Sequence, residues 1–158
     1  MDLDPLNLSI NTHLGHHYLY TRNYDKAITQ LRQTLEMYPA AAQAHFWLGR
    51  AYEAKGQYED AIREFQEAIG LSPDAVQNRA ALGHVYALAG QTRAAQSVVR
   101  ELEAASRERY VSAYSLAVVY AGLKDRARAI DHLCRACGRR SLPQNRSLFR
   151  FDAVGCRI

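Results

Sequence analysis

The chain has 158 residues, of which 48% are hydrophobic and 23% are charged, and its formal net charge is +4. This composition is ordinary for a soluble protein, and no apolar run approaches the roughly 20 residues that a membrane-spanning helix needs. The start of the chain, MDLDPLNLSIN, has neither a basic region nor an apolar core, so we expect no secretion signal. The three cysteines, an odd number, do not suggest a disulfide framework, and we therefore expect a cytoplasmic protein.

The first segment, residues 1–7, is predicted to be the tail of an upstream helical repeat whose body is absent. Pro5 precedes Pro39 by 34 residues, which is also the spacing between Pro39 and Pro73. The alternative is a natural start that carries a proline by chance. The first interpretation predicts that the chain is the end portion of a longer protein.

Four helical hairpins are predicted to follow. They cover residues 8–41, 42–75, 76–109 and 110–143. Their first helices are expected near residues 8–21, 42–55, 76–89 and 110–122. Their second helices are expected near residues 24–37, 58–70, 92–105 and 126–138.

Residues suited to helix ends support several of these boundaries. Asn23, Thr92 and Asp125 are expected to be N-caps of second helices, where a short polar side chain accepts hydrogen bonds from free backbone N–H groups. Gly56 is expected in the turn of the second hairpin. Gly90 suits the left-handed position that follows a helix.

The last segment, residues 144–158, departs from the hairpin pattern. Leu148, Phe151, Val154 and Ile158 are spaced by 3, 3 and 4 residues, as on one face of a short helix. Because a repeat stack needs a cap over its last apolar face, we predict that this segment packs on the second helix of the fourth hairpin.

Several positions carry the same residue types every 34 residues. Gly or Ala recurs in the first helices and Ala in the second helices, where small residues let two helices cross closely, while Leu and Tyr supply the bulk around the crossing. Proline, which cannot continue a helix, follows the second helices. The leucine position holds Leu14, Leu48, Leu82 and Leu116; the glycine position holds Gly15, Gly49, Gly83 and Ala117; the tyrosine position holds Tyr18, Tyr52, Tyr86 and Tyr120; the alanine position holds Ala27, Ala61, Ala95 and Ala129; and the proline position holds Pro5, Pro39 and Pro73, then Arg107 and Ser141.

This set of positions resembles the tetratricopeptide repeat family, whose repeat is a helix-turn-helix of 34 residues. The resemblance covers residues 8–143. It implies an all-α, right-handed superhelical stack of four helix-turn-helix hairpins with a short C-terminal capping segment. The stretch from Tyr110 to Ser141 is also similar to the last repeat of tetratricopeptide arrays that end bacterial signalling proteins, which implies a larger signalling or regulatory protein as context.

In this family the first helices of successive repeats line a concave groove that binds peptides. The resemblance therefore implies groove residues on the four first helices. The candidates are Ser9, Thr12, His16 and Leu19 on the first; Gln43, Phe46, Trp47, Arg50 and Glu53 on the second; Gln77, Ala80, Ala81, His84 and Ala87 on the third; and Val111, Tyr114, Ser115 and Val118 on the fourth.

One position of the groove carries charge or potential charge in three successive repeats. His16, Arg50 and His84 occupy it and are expected to form a ladder along the groove. Arg50 can bind a carboxylate with two parallel hydrogen bonds, and the histidines add positive charge below about pH 6.5. We therefore expect an acidic peptide or a C-terminal carboxylate. The alternative is a polar groove with no dedicated ligand in this chain.

One subclass of the family holds chaperone tails with a two-carboxylate clamp. The clamp needs Lys and Asn in the first repeat, Asn in the second, and Lys and Arg in the third. The corresponding residues here are Thr12 and His16, then Trp47, then Gln77 and Ala81. None of them fits, so chaperone tails are not expected as ligands.

A zinc site is an alternative function for the cysteines. Cys134 and Cys137 form a C-x-x-C, with His132 before it and Cys156 after it, and such a set can bind zinc tetrahedrally. The pair lies within a predicted helix, with Cys137 at a buried repeat position and Cys134 at an exposed one. We therefore expect structural roles and neither a metal nor a cofactor.

Two further patterns resemble ligand sites, one for a metal and one for nucleic acid. His13 and His17 lie one helical turn apart, but no carboxylate follows at the spacing of a metalloprotease motif. The C-terminal half is basic, and its arginines alternate with aromatic residues in a way that is weakly typical of nucleic-acid contacts. Solvated arginines and structural aromatics explain the pattern more simply. The residues concerned are Arg139, Arg140, Arg146, Arg150 and Arg157, with Phe149 and Phe151.

The sequence as a whole favours a noncatalytic scaffold that binds a peptide or protein segment in its concave groove. It contains no nucleotide-binding loop, no nucleophile motif and no acid–base pair at a catalytic spacing. The alternative hypothesis is a self-association module that stacks through its exposed repeat ends, because the upstream repeat that would cover the first hairpin is absent. Neither a membrane nor nucleic acid is expected as a partner.

Overall fold

A computed structural model describes residues 7–108 and 110–137, and over these residues the chain forms eight α-helices. The all-α class is confirmed. The helices pair into four hairpins, and neighbouring hairpins pack side by side as a helical repeat solenoid. The helices are α1 (Leu8–Tyr20), α2 (Tyr24–Met37), α3 (Ala42–Ala54), α4 (Tyr58–Leu71), α5 (Val76–Leu88), α6 (Thr92–Glu108), α7 (Ala113–Gly122) and α8 (Arg126–Ala136).

The predicted helix bounds are met within a residue or two, except where the third hairpin meets the fourth. There α6 continues to Glu108 and α7 begins only at Ala113, each about one turn later than predicted. The reason lies at the proline position. Pro39 and Pro73 follow α2 and α4 closely, whereas Arg107 at the corresponding position allows α6 to continue.

The predicted caps have mixed outcomes. The Asp125 side chain accepts a hydrogen bond from the Arg128 N–H and caps α8, as predicted. Asn23 occupies the N-cap position of α2, but its side chain makes no capping bond. The prediction for Thr92 is wrong by one position, because Thr92 is the first residue of α6.

The turn inside each hairpin uses one left-handed residue at the same repeat position. Gly56 and Gly90 have φ values of 74° and 77°, so the prediction for Gly90 is confirmed. Arg22 and Lys124 occupy the same position in the first and fourth hairpins and have φ values of 59° and 60°. A side chain is disfavoured in this conformation, so these two turns are strained relative to the glycine turns.

The small residues of the repeat lie at close helix crossings, as predicted. A Cβ atom added to Gly49 would lie 2.8 Å from Cε1 of Phe65, and one added to Gly83 would lie 2.9 Å from Cγ1 of Val98. Phe65 is fully buried. The alanine position is buried in every hairpin, with Ala27, Ala61 and Ala95 at 0% exposure and Ala129 at 7%.

The apolar core consists of two clusters that meet at α5. The first contains residues of α2 to α4 together with Ala81, Leu82 and Val85 of α5, and the partly buried Tyr18 and Leu19 of α1 pack against it. The second contains Ala80 of α5 and residues of α6, α7 and α8. Tyr86, also on α5, packs against both clusters. One helix therefore contributes to both halves of the core.

Two of the predicted segments lie outside the described residues. They are the tail of an upstream repeat at residues 1–7, apart from Asn7, and the capping segment at residues 144–158. Asn7 caps α1, because its side chain accepts hydrogen bonds from the N–H groups of Ser9 and Ile10. Among the described helices, none combines the length and the apolar character needed to cross a membrane.

Candidate functional site

Except for Val111, which precedes α7, the predicted groove residues lie on α1, α3, α5 and α7. We call the exposed parts of these four helices the first-helix surface. Its members differ in exposure. The exposed ones are Ser9, Gln43, Gln77 and Tyr114; the half-buried ones are His16, Leu19, Phe46, Trp47, Arg50, Glu53, His84, Ala87, Val111 and Val118; and the buried ones are Thr12, Ala80, Ala81 and Ser115.

The buried members of this set correct the sequence analysis. Thr12 is 4% exposed, and its hydroxyl donates to the backbone carbonyl of Leu8 at 2.7 Å. Ala80, Ala81 and Ser115 are at most 8% exposed. These four side chains are buried, so they offer little surface to a ligand.

An aromatic cluster joins α1 to α3. The imidazole of His16 packs on the indole of Trp47 with ring centroids 3.8 Å apart, and Tyr20 approaches the same imidazole edge-on at 4.6 Å. Phe46 contacts Trp47 edge-on at 5.0 Å. Such contacts contribute roughly 0.5–1.5 kcal/mol beyond the area that they bury.

The environment of His16 disfavours its charged form. Burial lowers the pKa of His16, and the neighbouring His13 and His17 lower this pKa further. The Nε2 atom of His16 is buried and has no hydrogen-bond partner among the described residues. His16 is therefore an aromatic contact at neutral pH and not the cation that the ladder interpretation requires.

A second cluster joins α3 to α5 through Glu53. Its Oε2 atom lies 2.7 Å from Nη1 of Arg50, and its Oε1 atom accepts a hydrogen bond from Nδ1 of His84 at 2.7 Å. The Glu53 side chain is 8% exposed, whereas that of Arg50 is 39% exposed. We call this arrangement the Glu53 bridge. Both carboxylate oxygens are occupied, and the charge of Arg50 already has a partner.

The ladder predicted from the sequence is thus interrupted. Trp47 packs against His16, and Glu53 connects Arg50 to His84, so the three residues form no continuous row of positive charge. The pairing of Arg50 with Glu53 has a sequence signal, because residues three apart on a helix are neighbours. His84 lies 31 residues after Glu53 in the sequence, so this second pairing depends on how α5 packs.

Sequence reasoning missed two exposed apolar residues on this surface. Tyr20 is 75% exposed and Leu88 is 40% exposed. Each lies four residues after a histidine of the predicted ladder, His16 and His84, and therefore on the same face of its helix. That spacing was the signal that could have found them.

Gly122 occupies the same repeat position as Tyr20 and Leu88, and it brings α7 against α5. A Cβ atom added to Gly122 would lie 2.8 Å from Cδ2 of His84 and 3.0 Å from Cβ of Ala87. As a result, among the helices that precede it, α7 packs more on α5 than on α6, whereas α3 and α5 each pack more on the preceding second helix than on the preceding first helix. The first-helix surface is closed between α5 and α7.

Cys134 and Cys137 belong to the end of α8 and not to the first-helix surface. Cys134 is half-buried and Cys137 is exposed, which reverses the burial expected for the two residues. The physical reason is that α8 ends at Ala136, so Cys137 is the C-cap residue and lies past the packed face. Among residues 7–108 and 110–137, no three His, Cys, Asp or Glu side chains gather as a metal site would require.

His132 has a structural position in the described part of the fourth hairpin. Its ring stacks on Tyr120 with centroids 5.4 Å apart and an interplanar angle of 16°. Burial lowers the pKa of His132, and Arg135 lowers it further. The side chain is therefore a neutral packing partner at neutral pH.

Both ends of the described stack expose apolar residues whose repeat counterparts are buried. Leu14 is 37% exposed, whereas Leu48, Leu82 and Leu116 are at most 9% exposed. Leu133 is 42% exposed, whereas Phe65, at the same position two repeats earlier, is 0% exposed. The exposure is thus confined to the first and fourth hairpins at these two positions.

Comparison with known proteins agrees with the repeat pattern. Two tetratricopeptide repeat profiles match, one at residues 13–76 and the other at residues 53–117. Among curated protein sequences, no match is found.

Solved structures of similar fold include the Sgt2 tetratricopeptide repeat domain from Aspergillus fumigatus, with 21% identity, a TM-score of 0.62, and coverage of 94% of this chain and 91% of that one. A crystal structure of MamA has 23% identity and a TM-score of 0.60 over 85% of this chain and 79% of that chain. Another MamA structure, MamA AMB-1, has 27% identity and a TM-score of 0.59, and the match covers 68% of this chain and 59% of that chain. Taken with the repeat positions and the eight paired helices, these matches show that the chain belongs to the tetratricopeptide repeat family.

Proposed function

We propose that the chain is a noncatalytic scaffold that binds a peptide or protein segment in a concave groove formed by the first helices. The observation that carries the proposal is the exposure of large apolar side chains on three of these helices. Tyr20 is 75% exposed on α1, Leu88 is 40% exposed on α5, and Tyr114 is 60% exposed on α7. Apolar residues grouped on one surface of a soluble protein are typical of interaction sites.

The surroundings of these side chains support the same function. The His16–Trp47 stack and the Glu53 bridge connect α1, α3 and α5 through contacts between side chains. A surface whose side chains are already ordered loses less conformational entropy when it binds a partner. Stacked repeats also present one extended surface, which suits an extended segment better than a compact ligand.

The proposal can be tested by selecting short random peptides on the full chain and measuring the affinity of the selected peptides by fluorescence anisotropy. Leu88→Glu, which places a charge on the first-helix surface, is expected to weaken binding by about tenfold or more. Leu71→Glu is the matched control, because Leu71 is 41% exposed and also lies at the C-terminal end of its helix, the second helix α4. Equal affinities for the two variants would refute the groove as the binding site.

Self-association through the repeat ends is a second candidate, favoured by the exposure of Leu14 and Leu133. The corresponding residues Leu48, Leu82, Leu116 and Phe65 are buried. A second copy placed head to tail would cover both ends in a way that resembles the packing of one hairpin on another within the chain. Such an interface joins different surfaces and can continue into a filament. Light scattering over a concentration series tests this candidate. A molar mass that stays monomeric at every concentration excludes it. If the mass rises with concentration, the variant Leu14→Glu is expected to remain monomeric.

Three finer features remain proposals. We infer a larger bacterial signalling protein as the context, from the similarity of residues 110–141 to terminal repeats of such proteins. We infer a cytoplasmic location from the odd number of cysteines. The acidic partner expected from Arg50 stays a prediction. Because Glu53 already pairs with Arg50, an acidic partner would have to compete with Glu53.

A further inference from the structure

Formal charge is distributed very unevenly between the two helix layers. Helices α1 and α7 contain no Lys, Arg, Asp or Glu, and α3 and α5 together contain only Arg50, Glu53 and Arg79. Each of the second helices, α2, α4, α6 and α8, contains at least four such residues. Solvent-exposed charge is thus concentrated on one layer of the described stack.

The three charged residues of the first helices are engaged within the protein. Arg50 pairs with Glu53, which also binds His84. Arg79 donates from Nη1 to the carbonyl of Pro73, which places its guanidinium at the connection between α4 and α5. The remaining candidate cation of the ladder, His16, is stacked on Trp47.

The exposed apolar residues lie beside this neutral region. Tyr20, Ala54 and Leu88 occupy one repeat position on α1, α3 and α5, one helical turn after His16, Arg50 and His84 respectively. These three residues therefore form a row across α1, α3 and α5, and two residues of the Glu53 bridge, Arg50 and His84, lie one helical turn before it.

We propose that the groove selects an uncharged segment with aliphatic or aromatic side chains, and that Glu53 excludes acidic segments by occupying Arg50. The inference rests on the proposed function and specifies its ligand. An incoming carboxylate has to compete with Glu53 for Arg50, whose charge Glu53 already balances, and displacing Glu53 would leave one oxygen of a poorly hydrated carboxylate without its partner. An apolar side chain meets no such competitor and gains by covering Tyr20 or Leu88.

The test compares the composition of peptides selected from a random library on three versions of the full chain. These are the unaltered chain, Glu53→Gln and Glu64→Gln. Glu64 is the matched control, because it also accepts from a histidine Nδ1 at 2.7 Å, that of His45, and its side chain is 18% exposed. Circular dichroism verifies that the variants keep their helices, and the fluorescence of Trp47, the single tryptophan of the chain, reports binding near the aromatic cluster.

The unaltered chain and Glu64→Gln are expected to select peptides of near-zero net charge that are rich in Leu, Ile, Phe, Tyr and Trp. Glu53→Gln frees Arg50 and is expected to raise the affinity for acidic peptides by about threefold to tenfold. Acidic peptides selected by the unaltered chain would overturn this inference while leaving groove binding intact. Identical selections by Glu53→Gln and Glu64→Gln would also overturn it. If no selected peptide depends on Leu88, groove binding itself fails, and the inference fails with it.

Discussion

The junction between the second and third hairpins and the junction between the third and fourth hairpins are built differently. In the first, Pro73 follows the end of α4, and α5 packs on α4 and barely on α3. In the second, Arg107 replaces proline, α6 continues to Glu108, and α7 packs on α5 more than on α6. A single repeat position without proline thus accompanies a different arrangement of the next helix.

The difference shows how the first-helix surface is opened or closed. Between α3 and α5 the helices are connected through side chains, with Glu53 and His84 in contact, and Leu88 remains exposed. Between α5 and α7 the backbone of Gly122 approaches His84 directly. The helices before this closed contact carry the exposed Tyr20 and Leu88, and α7 after it carries the exposed Tyr114.

Gly122→Leu is expected to have the largest effect, because its side chain would meet His84 and Ala87 at less than contact distance. Inserting bulk into a packed crossing costs about 1–3 kcal/mol. Chemical denaturation monitored by circular dichroism measures the free energy of unfolding. Ala54→Leu is the matched control at the same repeat position, where Ala54 is exposed, and its effect should stay within about 0.5 kcal/mol. Similar losses of unfolding free energy for the two variants would contradict the distinction between the closed junction of α5 with α7 and the open junction of α3 with α5.

Glu53→Ala is expected to weaken the open junction by about 1–2 kcal/mol, because it leaves Arg50 and His84 without their shared acceptor. A double-mutant cycle with His84→Ala measures the coupling between the two residues. Additive effects would show that the Glu53 bridge does not hold α3 to α5.

The hairpin turns offer a finer comparison between the third and fourth hairpins. Gly90 and Lys124 share the left-handed repeat position, so Lys124→Gly is expected to stabilise the protein by about 0.5–1 kcal/mol as the strain is removed. Gly90→Ala should destabilise it by about 1 kcal/mol. Thermal melting of both variants checks the signs, and a stabilised Gly90→Ala would refute the account of the strain.

The smallest expected effect is a pH dependence that involves one histidine at each end of the stack. Because the pKa values of His16 and His132 are lowered from 6.5, the unfolded chain binds protons before the folded chain as the pH falls. The contribution of these two histidines to the free energy of unfolding is therefore fully present above pH 6.5 and is lost as the pH falls below that value. His16→Gln and His132→Gln should each flatten the decrease. A Trp47 fluorescence titration with a midpoint at or above pH 6.5 would contradict the shift at His16.

The repeat positions predicted most of the fold because their physical causes are local. Gly90 and Pro73 each act on the backbone at their own place in the chain, so the ends of the neighbouring helices follow from them. Arg107 shows the limit of this logic, because the absence of proline indicates that a helix can continue but does not indicate where it ends. In the structure α6 ends at Glu108, about one turn after its predicted end.

The candidate site was less predictable because its contacts cross between helices. Thr12 lies at a repeat position that carries Phe46 and Tyr114 elsewhere, yet it is buried, and only the packing of α1 reveals this. The contact of Glu53 with His84 has the same origin. The strained residues Arg22 and Lys124, by contrast, were predictable, because Gly56 and Gly90 lie at the same position of the repeat.

The contribution of α5 to both apolar clusters has a consequence for how the molecule loses its structure. Nearest-neighbour coupling governs stacked repeats, so the halves before and after α5 respond as one cooperative unit only while this helix stays ordered. Local unfolding that begins at either terminus is expected to spread inward as far as α5, where the contacts of the opposite half oppose it. The sharpness of the melting transition is accordingly a property of this helix more than of any other.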